Sequence, residues 1–330
     1  MSGIKTARSI DIHAHAVLDE TMGAAGEHGP ELTTDGEGRP LFRVGGYKLL
    51  GVRYRGSPFM DPDLRLQAMD KAGIDFQVLS PNPLTYFHFT PAPEAIRFCR
   101  RHNDVLAALV KRYPDRLAGF AALPMQDPAA AAEELVRSTR ELGLLGAYVG
   151  TEFGIPLDSP ALDTLYETFV KLDVPLFLHP APAGIDGPAG DPALDRFDLN
   201  LVAGFAAQET LAVATLIFGG VLDRHPKLDI CISHGGGAVP FLVGRLALAG
   251  QKRPWAPESL KPDGAFEEHL ARFWFDAHVN DDRALDYLVR IVGDDHLVLG
   301  TNFAGWDQHE IHFGEGVRKM ADNARRLLRV

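Results

Sequence analysis

Eight short apolar runs recur along the 330-residue chain, most of them followed by a stretch with helical spacing, and this alternation admits few folds. The runs are SIDIHAH (9–15), DFQVLSP (75–81), RLAGFAALP (116–124), LLGAYVGT (144–151), PLFLHP (175–180), LDICISHG (228–235), FWFDAH (273–278) and HLVLGTNF (296–303). Several are almost wholly apolar, as strands covered on both faces must be. Helical patterns fall at 61–73, 93–113, 127–143, 159–173, about 201–224, 238–250, 281–293 and 316–330, with acidic starts and Gly or basic ends. The repeat predicts an α/β chain folded as a (β/α)8 TIM barrel, one domain over residues 1–330. A doubly wound open sheet is the alternative. Its nucleotide-binding form needs a glycine fingerprint after the first strand, and HAHAVLDE stands there instead. Two long connections, at about 16–60 and 181–199, are rich in Gly, Pro and charge. Both follow strands, which predicts insertions on the C-terminal face of the barrel, where such barrels keep their chemistry.

The strand ends carry the residues of interest. His13 and His15 lie two apart, so a strand sends both imidazoles to one side. His179 ends the fifth strand, His234 the sixth, Asp276 and His278 the seventh, and Asn302 the eighth. In a closed barrel these ends surround one axis, which predicts a metal site rather than scattered structural histidines. Nitrogen and oxygen donors suit Zn²⁺, and also Fe²⁺, Mn²⁺ or Co²⁺; one divalent ion is expected, with zinc the first choice.

Net charge is −11, with no basic stripe, so nucleic acid is an unsuitable partner. Cys99 and Cys231 sit in apolar stretches and are read as buried thiols. The N-terminal segment has no apolar leader, and the apolar runs read as too short to span a membrane. The expectation is a cytoplasmic protein with no membrane partner.

The segments DIHAH, MDKAGIDFQVLS (69–80), RLAGFAALPMQDP (116–128), PLFLHP, GGVLDRHPKLDICISHGGGAVPFLVGR (219–245), FDAHVNDDRAL (275–285), LVLGTNF and NARRLL (323–328) give the chain a resemblance to the amidohydrolase superfamily. Within it the likeness is to aminocarboxymuconate-semialdehyde decarboxylase and related decarboxylases and hydratases, over essentially the whole chain. The resemblance implies a (β/α)8 barrel with one divalent metal. By it, His13, His15 and His179 match metal ligands and His234 matches the catalytic acid/base. Arg245 matches an arginine that grips a substrate carboxylate, in some members across a dimer interface, so a homodimer is expected. A second such arginine belongs to the loop before the first helix, where Arg53 and Arg55 both stand. Strand 4 ends in GAYVGTEF without lysine, so no bridging carbamylated lysine is expected. Gly235, Gly236 and Gly237 would let the backbone approach a substrate.

The chain departs from the family at one point, with Asn302 where Asp is usual. An uncharged amide is a weaker ligand for a hard cation and cannot act as a base. Asn302 could ligate through its carbonyl oxygen, Asp307 or Glu152 could supply the missing charge, or the site could have lost its metal. His278, Glu152 and Asp307 are also candidate substrate contacts. The leading expectation is a metal-dependent, non-oxidative decarboxylase of a small unsaturated or aromatic carboxylic acid. A hydrolase or hydratase on the same scaffold needs the same ligands and stays open. So does a non-catalytic ligand-binding barrel, which only Asn302 favours.

Overall fold

The computed structural model describes residues 3–185, 187–308 and 314–330. Its strands in chain order are β1 (Ile10–Ala16), β2 (Glu31–Thr34), β3 (Pro40–Val44), β4 (Tyr47–Leu50), β5 (Phe76–Pro81), β6 (Leu117–Gly119), β7 (Ala147–Val149), β8 (Leu176–Leu178), β9 (Ile230–Ile232), β10 (Trp274–Asp276) and β11 (Leu297–Val298). β1, β5 and β6 pair in parallel, as do β7 through β11. Parallel bridges Asp11–Leu299 and Ala121–Ala147 join the two sets at both edges. The eight parallel strands thus close into the (β/α)8 barrel that the sequence predicts.

The principal outer helices are α1 (Pro62–Ala72), α2 (Ala92–Arg112), α3 (Pro128–Arg140), α4 (Asp163–Leu172), α5 (Gly204–Phe218), α6 (Val239–Lys252), α7 (Asp282–Val292) and α8 (Glu315–Leu328). Their starts follow from the sequence. Asp61, Asp127 and Asp281 each accept hydrogen bonds from backbone N–H groups of the first turn, a cap worth about 1 kcal/mol apiece. Gly73 closes α1 in the left-handed conformation at φ 70°.

β1 shows how sequence positions the site. Its alternation between two faces is interrupted by a register shift between Asp11 and Ala14. Ile10 and Ile12 lie in one buried cluster with Val78, Tyr148, Phe177 and Cys231 of other barrel strands and with Ala321, Ala324 and Leu327 of α8. Asp11 pairs in register with Gln77 on the side of α1, while His13 and His15, at and beyond the shift, turn to the barrel interior beside Tyr148. Asp11 anchors the strand: it accepts from Gln77 Nε2 (2.9 Å), Thr301 Oγ1 (2.7 Å) and the backbone N–H groups of His13 and Thr301. Arg65, buried on α1, donates to Gln77 Oε1 and to the His15 carbonyl. Burial raises the Asp11 carboxyl to about 6, despite these donors. The network ties β1 to β5 and to the segment after β11.

Three observations correct the sequence reading. Segment 16–60 is not all loop: β2, β3 and β4 form an antiparallel sheet, which lays Phe42 and Val44 against Tyr54, Phe87 and Phe98. The signal was a two-residue Gly45–Gly46 turn between the paired Val44 and Tyr47, hidden by charged neighbours on short strands. The barrel strands are also shorter than the apolar runs, because the chain turns at the mouth; Asn302 and Ala304 both have positive φ. Finally, Leu199–Phe218 is long and apolar enough by length and composition to cross a membrane, with mean hydropathy 1.7. In the fold, Ala212, Val213, Leu216 and Ile217 of this segment are buried in the main core cluster, and its one charged residue, Glu209, is bonded inside the barrel mouth. Cys99 and Cys231 are buried and unpaired by disulfide, as expected.

Candidate metal and proton-transfer site

Two strands, β1 and β8, deliver three neutral imidazoles to one point. His13, His15 and His179 are buried, and one nitrogen from each lies within 4.8 Å of the others. Each ring is fixed by an acceptor at Nδ1. His13 donates to Asp276 Oδ2 at 2.8 Å, His15 to the Pro81 carbonyl at 3.0 Å, and His179 to the Pro180 carbonyl at 2.6 Å. Protons at Nδ1 leave a lone pair at each Nε2. His13 Nε2 and His15 Nε2 have no hydrogen-bond partner among the described residues. Burial, aided by the neighbouring histidines, holds His13 and His179 well below the usual imidazole range, and burial takes His15 down to about 3. Buried, unpaired lone pairs on uncharged rings are costly unless something binds them, and a divalent cation fits this donor set. Asp276 is the buried carboxylate that orients His13, an outer partner of the kind metal-binding histidines use.

His234 stands beside this group, its ring centroid 5.0 Å from those of both His13 and His179. It is of opposite character. Burial works against its charge, but Glu209, 2.6 Å away at Nδ1, together with Asp276 and Asp307, raises it to about 9. Glu209 also accepts from Ser233 Oγ. Burial raises the Glu209 carboxyl, and the His234 charge opposes that rise. The backbone is as unusual as the charge: His234, Gly235, Gly236 and Gly237 all have positive φ. A Cβ on Gly237 would meet the Ala206 carbonyl oxygen at 2.2 Å, and one on Gly236 would meet the Phe275 ring at 2.7 Å. These glycines therefore admit the protein's own α5 and β10 at distances a side chain would forbid.

His278 and Asn302 are joined through Asp307. His278 Nε2 donates to Asp307 Oδ2 at 3.1 Å, and Asn302 Nδ2 donates to Asp307 Oδ1 at 2.6 Å. The His278 ring lies 5.4 Å from His13 and 5.3 Å from His234. Burial raises the Asp307 carboxyl, but the His278 hydrogen bond and charge outweigh it and leave the group below the usual range.

The arginines expected to hold a carboxylate are not gathered here. Arg53 and Arg55 are exposed, and Arg55 pairs with Asp19 at 3.0 Å. Arg245 is exposed on α6, one turn from Phe241, which is also exposed. Glu152 is exposed too and lines a cavity of about 610 Å³ with Phe89, Leu194, Gln208 and Leu211. Loop 181–199 thus contributes to a cavity wall, as its position predicts.

Glu209 was missed by the sequence reading, although it is the only charged residue between 201 and 218. A lone acid in so apolar a helix must be buried against a partner, and that was its signal. Tyr86, His88 and Tyr148 were missed as well. All three are buried, and each has a polar atom without a partner among the described residues.

Residues 10–330 match the model of the amidohydrolase family. The chain is similar to a 2-amino-3-carboxymuconate-6-semialdehyde decarboxylase of Dictyostelium discoideum, 34% identical over 74% of this chain and 66% of that protein. It is similar to a gamma-resorcylate decarboxylase of Rhizobium radiobacter, 38% identical over 56% of this chain and 58% of the relative. The matches thus span about three fifths to two thirds of these relatives' lengths. Among solved structures, a 2,6-dihydroxybenzoate decarboxylase from Rhizobium superposes with a TM-score of 0.72 at 26% identity, over 97% of this chain and 98% of the other.

Proposed function

This chain belongs to the amidohydrolase family, and from that premise we propose that it is a metal-dependent, non-oxidative decarboxylase of a small aromatic or unsaturated carboxylic acid. The observation that carries the reading is the contrast between His234, held protonated by Glu209, and the three neutral imidazoles beside it. The decarboxylase relatives support the same chemistry.

In this proposal His13, His15 and His179 hold one divalent ion, zinc, through Nε2. Bound there, the ion supplies positive charge and Lewis acidity. The chain's own residues do the rest. Losing carbon dioxide from an arene carboxylate replaces a C–C bond with a C–H bond. The proton passes from Nε2 of His234 to the carbon that bears the carboxylate. The electron pair of the breaking C–C bond returns to the ring as CO₂ departs, so the charge and proton balance close. Glu209 keeps His234 oriented and charged before the transfer. Asp276 and the Pro81 and Pro180 carbonyls keep the three imidazoles turned the right way. Asp307 supplies negative charge at the mouth through His278 and Asn302.

The substrate carboxylate needs a cation, and a homodimer provides one. Phe241, Arg245 and Leu248 lie on one face of α6 at i, i+4 and i+7, and all three are exposed. An apolar pair flanking an arginine suits burial against a second copy, with Arg245 reaching the neighbouring substrate. The working enzyme is proposed to be cytoplasmic, without nucleic-acid or membrane partners.

The test is CO₂ release by the zinc-loaded protein from 2,6-dihydroxybenzoate, 5-carboxyvanillate and 2-amino-3-carboxymuconate-6-semialdehyde. Release from at least one, abolished by His234→Ala, is expected. No release from any of them, with turnover of an amide or enoic acid instead, would transfer the protein to the hydrolase or hydratase reading.

A further inference from the structure

The loop after β5 places a second set of polar groups at the barrel mouth, and nothing in the proton-transfer chemistry uses them. Tyr86 and His88 stack with ring centroids 5.2 Å apart, and both are almost fully buried. Their seat is Gly150, two residues along the chain from Tyr148 and so on the same side of β7. A Cβ at Gly150 would meet His88 Cδ2 at 2.9 Å and Tyr86 Cδ2 at 3.1 Å. Tyr148 in turn lies 5.6 Å, ring to ring, from both His15 and His179. The pair therefore adjoins the histidine cluster through Tyr148.

The hydrogen bonds of His88 settle its tautomer. The Gly150 backbone N–H donates to His88 Nε2 at 2.9 Å. A backbone N–H can only donate, so Nε2 accepts and the ring proton sits on Nδ1. That N–H, the Tyr86 hydroxyl and the Tyr148 hydroxyl have no partner among the described residues. Burial holds the His88 imidazole down to about 3, so it is neutral, and burial with the Glu209 charge keeps the Tyr86 phenol protonated. Tyr86 and His88 line a small cavity of about 30 Å³ with Phe89, Glu152, Ala181 and Gln208. Among the described residues lining it there is no lysine or arginine, and Glu152 brings the only carboxylate.

We propose that Tyr86 and His88 form a neutral donor pair that recognises an uncharged oxygen substituent, a hydroxyl or methoxyl, on the ring of an aromatic acid held at the histidine site. Two neutral donors with no cation and an acid nearby do not favour a second carboxylate. They favour an acceptor without charge, whose absence leaves buried donors unsatisfied and so discriminates against the bare ring. The proposal rests on the decarboxylase reading for the position of the acid, but its test does not depend on turnover.

The test is calorimetric titration of the zinc-loaded protein with benzoate, 2,6-dihydroxybenzoate, 3-hydroxybenzoate, 4-hydroxybenzoate and isophthalate. In the wild type at least one hydroxybenzoate is expected to bind about three- to tenfold more tightly than benzoate, and isophthalate no more tightly than benzoate. Tyr86→Phe, which removes one oxygen and keeps the ring, and His88→Phe should each lower that preference about three- to tenfold while benzoate affinity holds. The Tyr86→Phe result stands on its own if His88→Phe does not fold. An unchanged preference in Tyr86→Phe, a wild type that prefers benzoate or isophthalate, or no binding of any acid overturns the proposal. If the preference responds but no acid releases CO₂, the recognition pair stands and the decarboxylase reading falls. If CO₂ is released and the preference does not respond, the reverse holds.

Discussion

Nδ1 of His234 lies 2.6 Å from Oε1 of Glu209, a charge-assisted contact at the edge of a cluster of neutral histidines. The pair is built from a strand end and from a helix that is otherwise uncharged, so it joins two elements as well as tuning one ring. Glu209 raises His234 while burial opposes it. The acid form is populated below about 9 and is lost as pH rises through that value. Glu209→Gln removes the raising charge and leaves the opposing burial. In the metal-free protein, the NMR titration midpoint of the His234 ring should therefore move to lower pH. In the loaded enzyme kcat should fall about 100-fold, with the alkaline limb of its pH profile moving the same way. A midpoint that does not move would show that Glu209 only packs against the ring.

Metal content follows from the unpaired nitrogens. About one divalent ion per chain is expected by elemental analysis, zinc on the donor chemistry, and manganese in its place would overturn only the choice of ion. His13→Ala and His179→Ala should lose the ion and keep the far-ultraviolet circular dichroism of the wild type. Restoring zinc to stripped wild type at about 100 times its dissociation constant should stabilise the fold by about 2.7 kcal/mol. Neither variant should show that gain.

The barrel was legible because its signal is repetitive: each apolar run and each capped helix start states the same pattern, and Asp61, Asp127 and Asp281 cap where acidic starts were read. His13, His15 and His179 were legible because strand periodicity and barrel closure bring strand ends together. The companions of the site were harder to read. Glu209 and Asp276 act across the barrel, through contacts of 25 and 263 residues' separation, and no local spacing encodes such a pair. Tyr86 and His88 sit in a loop whose course depends on Gly150 leaving room. Arg53, Arg55 and Arg245 are exposed in the single chain, and the proposed carboxylate contact from Arg245 is one that a second copy would complete.

That proposal gives a direct experiment. Arg245→Ala and His234→Ala should each be inactive as purified proteins. Mixed after brief partial denaturation and refolded together, they should regain a fraction of wild-type activity, because half of the sites in a mixed dimer inherit both intact residues. Sedimentation should find a dimer that Phe241→Glu dissociates. A monomeric, fully active wild type would return Arg245 to an ordinary surface role.

The positive-φ run after β9 is expected to be intolerant of side chains. Gly237→Ala places a Cβ 2.2 Å from the Ala206 carbonyl at φ 64°. The left-handed conformation alone costs on the order of 1–3 kcal/mol, and the clash adds to it by pushing α5 and Glu209 away from His234. Chemical denaturation should show at least that loss. A variant of unchanged stability would mean that α5 can shift freely, and the fixed Glu209–His234 geometry would then not hold.

Asn302 offers the sharpest test of how the charge at the mouth is arranged. Its amide Nδ2 donates to Asp307 Oδ1 at 2.6 Å, while His278 holds the other oxygen of the same carboxylate. Asn302→Asp would replace that donor with a second carboxylate at hydrogen-bond distance. Two such groups cannot both ionise cheaply, and one of them must take up a proton or move away. The metal-free Asn302→Asp protein should therefore be less stable than wild type near neutral pH and should recover as pH falls. A bound cation beside the new carboxylate should offset the repulsion, so zinc should stabilise this variant more than it stabilises wild type. Asp307→Asn should have the opposite effect, weakening zinc binding if Asp307 is the acid that serves the mouth. Glu152→Gln, at an exposed cavity edge, should leave zinc affinity unchanged. The double variant Asn302→Asp, Asp307→Asn moves the charge from one residue to the other and should restore both stability and affinity toward wild type. If the double variant is no better than either single change, Asn302 and Asp307 do not share one charge, and the amide at 302 has a role apart from Asp307.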